Sequence, residues 1–125
     1  MKKVVYTAEA PEPIGPYSQA ILVDNTLYCS GQIPVNPKTG MVVEGGIKEQ
    51  TLQCIKNIEN VLTSAGYGFE DVVKTTCFLA EMADFAEFNE IYSKYFVSKP
   101  ARSCVAVKQL PKNVLVEVEV LAVKA

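Results

Sequence analysis

The sequence predicts an α+β fold in which two helices cover one face of a single mixed β-sheet. Its 125 residues suit one domain of common size, so we expect a single domain over residues 1–125. Two segments show the three- and four-residue apolar spacing of amphipathic helices, and shorter segments are rich in β-branched and aromatic residues, as strands are. The predicted order is strand, strand, helix, strand, helix, strand, strand, which favours helices on one face.

The first two strands are predicted on either side of Asn25. In AILVDNTLYCSG, two apolar segments are joined through a Val-Asp-Asn-Thr junction, which is typical of a tight hairpin. The segment VNPKTG, at 35–40, is predicted to be a turn that interrupts the chain after the second strand.

The first helix is predicted over 47–65 and is followed by a strand. Its apolar residues form one stripe: Ile47, Cys54, Ile55, Ile58, Val61, Leu62 and Ala65. Gly66 supplies a stop signal at the end of this pattern. The strand is predicted over 71–79, where VVKTTCFL is rich in β-branched and aromatic residues.

The second helix is predicted to begin at Asp84. Glu87, three positions later, completes the pattern of a capping box. We expect the aromatic face of this helix to pack in the core rather than to bind a ligand. That face consists of Phe85, Phe88, Tyr92, Tyr95 and Phe96.

Two strands, predicted over 103–107 and 114–123, close the chain. Period-two alternation in the last strand predicts an apolar row suited to lying under the helices: Val114, Val116, Val118, Val120 and Ala122. The opposite side carries Leu115, Glu117, Glu119, Leu121 and Val123. Large apolar side chains are unusual on a solvated face and two glutamates are unusual in a core. We therefore expect a subunit interface that contains a polar pocket.

The composition argues against several classes of function. The net charge is −2 and the basic residues are scattered, so the electrostatic pattern of a nucleic-acid-binding protein is absent. No apolar run of the length of a membrane span and no signal-peptide pattern is present, so we expect no membrane contact and a cytoplasmic location.

Metal and histidine chemistry are not expected either. The chain has no histidine, which excludes Ser-His and Cys-His nucleophile pairs. Its four cysteines are far apart without a CxxC pair, so we expect no metal site and interpret them as small buried hydrophobic residues. Catalysis would have to use carboxylates, arginine, backbone amides and water, with no cofactor.

Arg102 is the residue whose position most needs an explanation. It stands in PARSCVAV, between a Pro-Ala turn and a predicted buried strand, and arginine is rarely buried without a partner. Glu117 and Glu119 share one face, with Cα atoms about 6.6 Å apart. If Arg102 opens the neighbouring antiparallel strand, its guanidinium lies close to both carboxylates. The residues alone leave two interpretations open: an ordinary cross-strand ion pair, or a fork that binds a substrate carboxylate.

Three separated motifs resemble the RidA family of reactive intermediate deaminases, also called the YjgF family. They are IGPYSQA, SGQIPVNPKTG and PARSCVAVKQLPKNVLVEVEV, and the resemblance runs nearly end to end. It implies a chorismate-mutase-like fold and a homotrimer with a central β-barrel and sites in the clefts between subunits. It also implies hydrolysis of 2-iminobutanoate, 2-iminopropanoate and related enamines, such as 2-aminoacrylate, to 2-oxo acids and ammonia.

The resemblance implies the main catalytic roles. Arg102 would hold the substrate carboxylate in a bidentate grip, and the backbone N–H of Cys104 would bind the atom that carries the C=N or C=O group. Glu117 would position or activate the attacking water and favour the iminium form. Glu119 is an alternative for this last role, although the gapless match of LPKNVLVE favours Glu117. Nothing near Cys104 in sequence would activate its thiol.

Four further residues are implied as parts of the substrate pocket. Tyr17 would close the pocket beside the reacting carbon, Ser30 and Gly31 would line the wall across the cleft, and Asn89 matches a polar position on the second helix. Only VSK separates the aromatic end of that helix from PARS, which is shorter than in many family members. We therefore expect a reshaped cleft wall and a different limit on substrate size.

Two other functions remain open from the sequence. A translation-inhibiting endoribonuclease is one, although an acidic chain without histidine is poorly suited to it. A non-enzymatic metabolite-binding or chaperone-like trimer is the other, and it would bind a 2-oxo acid without accelerating loss of an imine.

Overall fold

A computed structural model describes all residues from 1 to 125. Six strands form the main sheet: Lys2–Val5 (β1), Ala20–Val23 (β2), Thr26–Cys29 (β3), Val72–Leu79 (β6), Ala101–Ala106 (β7) and Val116–Val123 (β8). Their order in the sheet is β1-β2-β3-β8-β6-β7. A separate two-stranded sheet pairs Val35–Asn36 (β4) with Met41–Val42 (β5). The helices Ile47–Ser64 (α1) and Phe85–Tyr95 (α2) pack on one face of the main sheet, which confirms the predicted fold class.

The ends of α1 follow from local hydrogen bonds. At its start, the carboxylate of Glu49 accepts a hydrogen bond of 2.8 Å from the backbone N–H of Gly46. At its end, Gly66 adopts a left-handed φ of +80°, and its N–H donates to the carbonyl of Thr63 at 2.9 Å. The predicted stop signal is confirmed. Neither helix has the length and apolar character needed to cross a membrane.

α2 begins where the sequence predicts, directly after Asp84, but its start lacks the predicted cap. A 3-10 turn over Met82–Asp84 leads directly into α2, and Asp84 itself has near-helical dihedral angles (φ −86°, ψ 0°). A capping residue normally has extended dihedral angles, which let its side chain reach the first free N–H groups of the helix. No side chain caps this helix, so the predicted pairing of Asp84 with Glu87 as a capping box is wrong.

The core lies between the helices and the sheet, as the alternation in β8 predicted. Val116, Val118 and Ala122 on the inner side of β8 are fully buried. The aromatic face of α2 packs against the same cluster, with Phe88 and Phe96 almost completely buried. The other side of β8 is half-buried or exposed and has no helix over it.

Two pairings were not predicted. β1 is an edge strand paired only with β2, and its first residues are exposed lysines, so it lacks a readable apolar alternation. β4 and β5 have two residues each: β4 takes up the first two residues of the predicted turn at 35–40, and β5 begins directly after that turn. The hairpin of β2 and β3 is confirmed, with Val23 paired to Thr26 across a two-residue loop.

The position of β7 corrects an expectation about Arg102. β7 pairs in parallel with β6 alone, with Arg102 beside Thr75, whereas β8 pairs antiparallel with the other side of β6. The predicted adjacency of the strand of Arg102 to the last strand is therefore wrong. The helix α2 connects β6 to β7 as a crossover, which makes the two strands parallel, and β7 takes the free edge of β6 while β8 occupies its other edge.

Candidate active site

Arg102 lies on the helix-covered face of the sheet, at the edge formed by β7. Its Nη1 donates a hydrogen bond of 2.8 Å to Oδ1 of Asn89. Its Cζ lies 4.8 Å from the ring centroid of Tyr92 and 5.5 Å from that of Phe85. The two salt bridges of the chain lie elsewhere. The guanidinium is thus partly buried and held by neutral groups alone, which leaves its charge available to an anion.

Cys104 offers a free backbone donor next to this guanidinium. The N–H of Val107 donates to the carbonyl of Leu79 at 2.9 Å, which directs it toward β6. Because N–H groups alternate in direction along a strand, the N–H of Cys104 points away from β6, toward the open edge. Burial raises the pKa of the Cys104 thiol, and the charge of Arg102 offsets this only in part. The amide is therefore better suited to binding than the thiol is to nucleophilic attack.

Glu117 lies on the other face of the sheet from Arg102. Its register partner on β6 is Phe78, whereas its neighbours Val116 and Val118 point into the core and are fully buried. Burial raises the pKa of the Glu117 carboxyl, and the negative charge of Glu119 raises it further. A raised pKa is typical of a carboxylate that exchanges protons near neutral pH.

Gly31 lies directly against the carboxylate of Glu117. A Cβ atom at this position would overlap with Oε2 of Glu117 and would lie 2.9 Å from its Cδ. The close approach is fixed by Gln32 and Val118, which exchange two backbone hydrogen bonds of 2.8 and 3.1 Å. The absence of a side chain at residue 31 is therefore what allows the carboxylate to lie along this backbone.

Ser30 holds the segment that carries Tyr17. Its Oγ donates to the carbonyl of Ser18 at 2.6 Å, and its N–H donates to the carbonyl of Gln19 at 2.9 Å. Tyr17 is half-exposed and, together with Gly31, lines a cleft of about 170 Å³. These contacts place Tyr17 in the same cleft as Gly31, the residue that lies against Glu117.

The predicted site residues therefore form two separate groups within one chain. The cation group consists of Arg102, Cys104 and Asn89, and the carboxylate group consists of Glu117, Gly31, Ser30 and Tyr17. Tyr17 and Gly31 line the first cleft, whereas Arg102 lines a different cleft of about 410 Å³. The sheet lies between the two groups, so one chain does not bring them together.

Two residues near Arg102 were not predicted as parts of the site. Tyr92 was interpreted as a core residue, and it is buried, but its ring also supports the guanidinium. Thr75 is completely buried and hydrogen-bonds to the hydroxyl of Tyr92. One feature of the sequence could have indicated Tyr92: it follows Asn89 by three positions and therefore shares its helix face.

Proteins of known family resemble the chain over its whole length. Residues 7–124 match the family model described as Endoribonuclease L-PSP. A RutC family protein of Pyrococcus horikoshii is 54% identical over 125 residues, covering 99% of each chain. The human 2-iminobutanoate/2-iminopropanoate deaminase is 48% identical over 125 residues, covering 99% of this chain and 91% of the human protein.

Solved structures of similar proteins have the same fold as this chain. YyfA of Yersinia pestis, a member of the conserved Rid protein family, superposes with a TM-score of 0.96 at 49% identity and covers 99% of this chain and 100% of its own. TdcF of E. coli, solved with bound serine, superposes with a TM-score of 0.94 at 37% identity and covers 98% of this chain and 99% of its own. The chain therefore belongs to the RidA (YjgF) family.

Proposed function

We propose that the chain acts as a homotrimer in which the cation group of one subunit and the carboxylate group of a neighbour form each active site. The helix-free face of the sheet carries Val4, Tyr28 and Val105, whose side chains are 59%, 50% and 46% exposed. An apolar surface of this kind is typical of an interface. Three copies whose sheets enclose a central β-barrel, as the family resemblance implies, would cover it.

The main support for the proposed chemistry comes from the groups that contact Arg102. Its guanidinium has only neutral partners, and the free N–H of Cys104 lies on the same strand. A planar fork beside a backbone donor suits a small acid that has a carboxylate next to a polar double bond. A 2-imino acid and the corresponding 2-oxo acid both have this arrangement.

The proposed reaction is the hydrolysis of 2-iminobutanoate and 2-iminopropanoate, including the imine that forms from 2-aminoacrylate. Glu117 accepts a proton from water as the water oxygen bonds to the imine carbon, and the C=N π electrons move to nitrogen. Attack on the iminium form gives a carbinolamine, and Glu117 returns the proton it took from water to the amine nitrogen. The C–N bond then breaks and ammonia leaves, while the hydroxyl oxygen gives its proton to Glu117 and becomes the carbonyl of the 2-oxo acid. Orientation and one placed water are sufficient for imines that already hydrolyse in water, so the reaction requires no metal or cofactor.

The remaining residues of the two groups have supporting roles. Tyr17 closes the pocket, Ser30 and Gly31 form the wall around Glu117, and Asn89 aids substrate binding by holding Arg102. We place the reaction in the cytoplasm, whose reducing conditions suit four free cysteines.

A trapping assay tests the proposed function. An amino-acid oxidase acting on alanine generates 2-iminopropanoate, semicarbazide traps the imine, and the semicarbazone is followed by its absorbance. Wild-type protein should suppress its formation, Arg102→Ala should not, and Lys56→Ala, which removes an exposed cation on α1, should behave as wild type. Wild-type protein that leaves the rate of trapping unchanged would overturn the proposal.

RNA cleavage is a second candidate because the matching family model is described as an endoribonuclease. The net charge of −2 and the absence of histidine count against it. Cleavage of RNA by the purified protein, lost in Arg102→Ala, would favour this function. Tight binding of a 2-oxo acid without suppression of trapping would instead indicate a non-enzymatic binding protein.

A further inference from the structure

Arg102 rests on a buried tyrosine ring, Tyr92, which is itself hydrogen-bonded to Thr75. The hydroxyl of Tyr92 and Oγ1 of Thr75 form a hydrogen bond of 2.7 Å in the interior of the protein. Tyr92 is 8% exposed and Thr75 is completely buried. Thr75 is also the register partner of Arg102 across β6 and β7. The residue beside Arg102 in the sheet therefore anchors the ring on which the guanidinium rests.

Two contacts from α2 fix the guanidinium in different ways. The ring of Tyr92 lies 4.8 Å from Cζ and supports the guanidinium by a cation–π contact. The amide of Asn89, one helical turn earlier, accepts a hydrogen bond from Nη1 and restricts rotation of the group. A second buried ring, Phe96, stacks on Tyr92 with centroids 4.4 Å apart, which limits movement of the Tyr92 ring.

An arginine side chain left free to rotate loses that freedom when it binds a ligand. A guanidinium that is already held in one orientation loses less rotational freedom on binding, so it binds the same carboxylate more tightly. Burial raises the pKa of Tyr92, so its hydroxyl remains neutral and can keep its hydrogen bond with Thr75 at neutral pH.

We propose that Tyr92 and Thr75 are positioning residues, which hold the guanidinium of Arg102 in the orientation that binds a carboxylate. The inference rests on the proposed function for the identity of the ligand but not for the arrangement of the side chains. Tyr92 acts through the face of its ring, and Thr75 acts by keeping that ring in place.

Four variants separate positioning from ordinary packing. Tyr92→Leu removes the ring, Tyr92→Phe keeps the ring and removes the hydroxyl, and Thr75→Val removes the Thr75 hydroxyl at nearly constant shape. Phe88→Leu is the control for packing. Phe88 is a completely buried ring on the same helix that lies against Tyr92, with ring centroids 5.5 Å apart, but does not contact Arg102. In this variant the Tyr92 ring is still held by Thr75 and Phe96.

The first readout is the dissociation constant of 2-oxobutanoate, measured by calorimetry together with kcat and KM in the trapping assay. We expect Tyr92→Leu to raise Kd and KM about tenfold while kcat changes by less than about twofold, since only the orientation of the fork is lost. Tyr92→Phe and Thr75→Val should raise Kd by about threefold. Phe88→Leu should lower the melting temperature and leave Kd unchanged.

The second readout does not depend on the function. Arg102 is the only arginine of the chain, so its guanidinium signals in ¹⁵N NMR spectra need no assignment. Wild type and Phe88→Leu should show slow rotation of the guanidinium, whereas Tyr92→Leu should show fast rotation. If wild type shows slow rotation but fails to suppress imine trapping, the proposed function fails and the positioning role stands.

The inference is overturned by rotation that is equally fast in wild type, Phe88→Leu and Tyr92→Leu. It is also overturned if Tyr92→Leu and Phe88→Leu raise Kd by the same factor. Should Tyr92→Leu fail to fold, Tyr92→Phe and Thr75→Val decide the matter, because unchanged rotation and unchanged Kd in both would contradict the role of the hydrogen bond.

Discussion

Arg102 and Glu117 lie on opposite faces of one sheet, and strand β6 separates the strands that carry them. No rotamer of either side chain crosses the sheet, because the core residues of β6 and β8 fill the space between the helices and the strands. Under the proposed function, a single chain therefore holds two halves of a site that face different directions. A second copy that presents its carboxylate group to the cation group of the first would complete the site.

Binding of 2-oxobutanoate should depend on the shape of the Arg102 side chain as well as on its charge. Arg102→Ala should weaken binding of 2-oxobutanoate by about 2 to 5 kcal/mol, and Arg102→Lys should recover only part of that loss because an ammonium cannot make a bidentate contact. Calorimetric titration of both variants measures this. A lysine variant that binds as tightly as wild type would contradict the bidentate role.

Chemical modification offers an independent test of the same residue. Phenylglyoxal reacts with arginine, and the chain has one arginine. We expect one adduct by mass spectrometry, loss of imine suppression in proportion to that adduct, and protection by 2-oxobutanoate. Modification at Arg102 without loss of activity, or without protection, would show that the guanidinium does not bind the substrate.

The acidic side of the pH profile should depend on Glu119. Burial and the charge of Glu119 raise the pKa of Glu117, so Glu117 takes up its proton at a higher pH than an exposed glutamate does. Activity requires the ionised form, so kcat/KM should fall on acidification. Glu119→Gln removes one cause of the raised pKa and should move this fall to lower pH.

The substrate titrates equally with both proteins, so the difference between wild type and Glu119→Gln reports on Glu117. Glu117→Gln should abolish suppression of trapping at every pH. If Glu119→Gln leaves the acidic limb in place or moves it to higher pH, the assignment of that limb to Glu117 is wrong.

The thiol of Cys104 should be dispensable. Burial raises its pKa, and it raises the pKa of Cys29 and of Cys77 to about 12, so none of these thiols is activated. Cys104→Ala keeps the backbone N–H and should retain activity within about threefold of wild type. A loss as large as that of Arg102→Ala would instead indicate a nucleophilic thiolate.

Substitution of Gly31 should separate activity from stability. In Gly31→Ala the added methyl group would overlap with the end of the Glu117 side chain, which is flexible and can move away. We expect a melting temperature within a few degrees of wild type, roughly as for a cost below 1 kcal/mol, and a drop in kcat of at least about tenfold.

Gly46→Ala is the control for this substitution. A Cβ atom at Gly46 meets nothing nearer than 3.9 Å, so this variant should keep its activity. If Gly31→Ala is as active as Gly46→Ala, the close contact of residue 31 with Glu117 has no catalytic importance.

The sequence predicted the inner side of β8 correctly because alternation is a local property. Val116 and Val118 are buried, while Glu117 faces away from the helices, as the period of two requires. The stripe of α1 and its stop at Gly66 are local in the same sense, and both were confirmed.

Adjacency of strands is not local, and there the prediction failed. The pattern of residues around Arg102 does not say which strand lies next to β7, and the expected contact with Glu117 assumed the wrong neighbour. The contact of Gly31 with Glu117 joins distant parts of the chain, and the family resemblance, rather than any periodicity, placed both residues in one site.

The most direct test of a shared site mixes two inactive proteins. Arg102→Ala and Glu117→Gln subunits, unfolded together and refolded, should form mixed trimers in which about a quarter of the sites combine an intact arginine with an intact glutamate. The mixture should recover about a quarter of wild-type imine suppression. A control mixture of Arg102→Ala with the double variant Arg102→Ala/Glu117→Gln should recover none. Mixed trimers of the two single variants that remain as inactive as their parents would show that Arg102 and Glu117 of different subunits do not form one site.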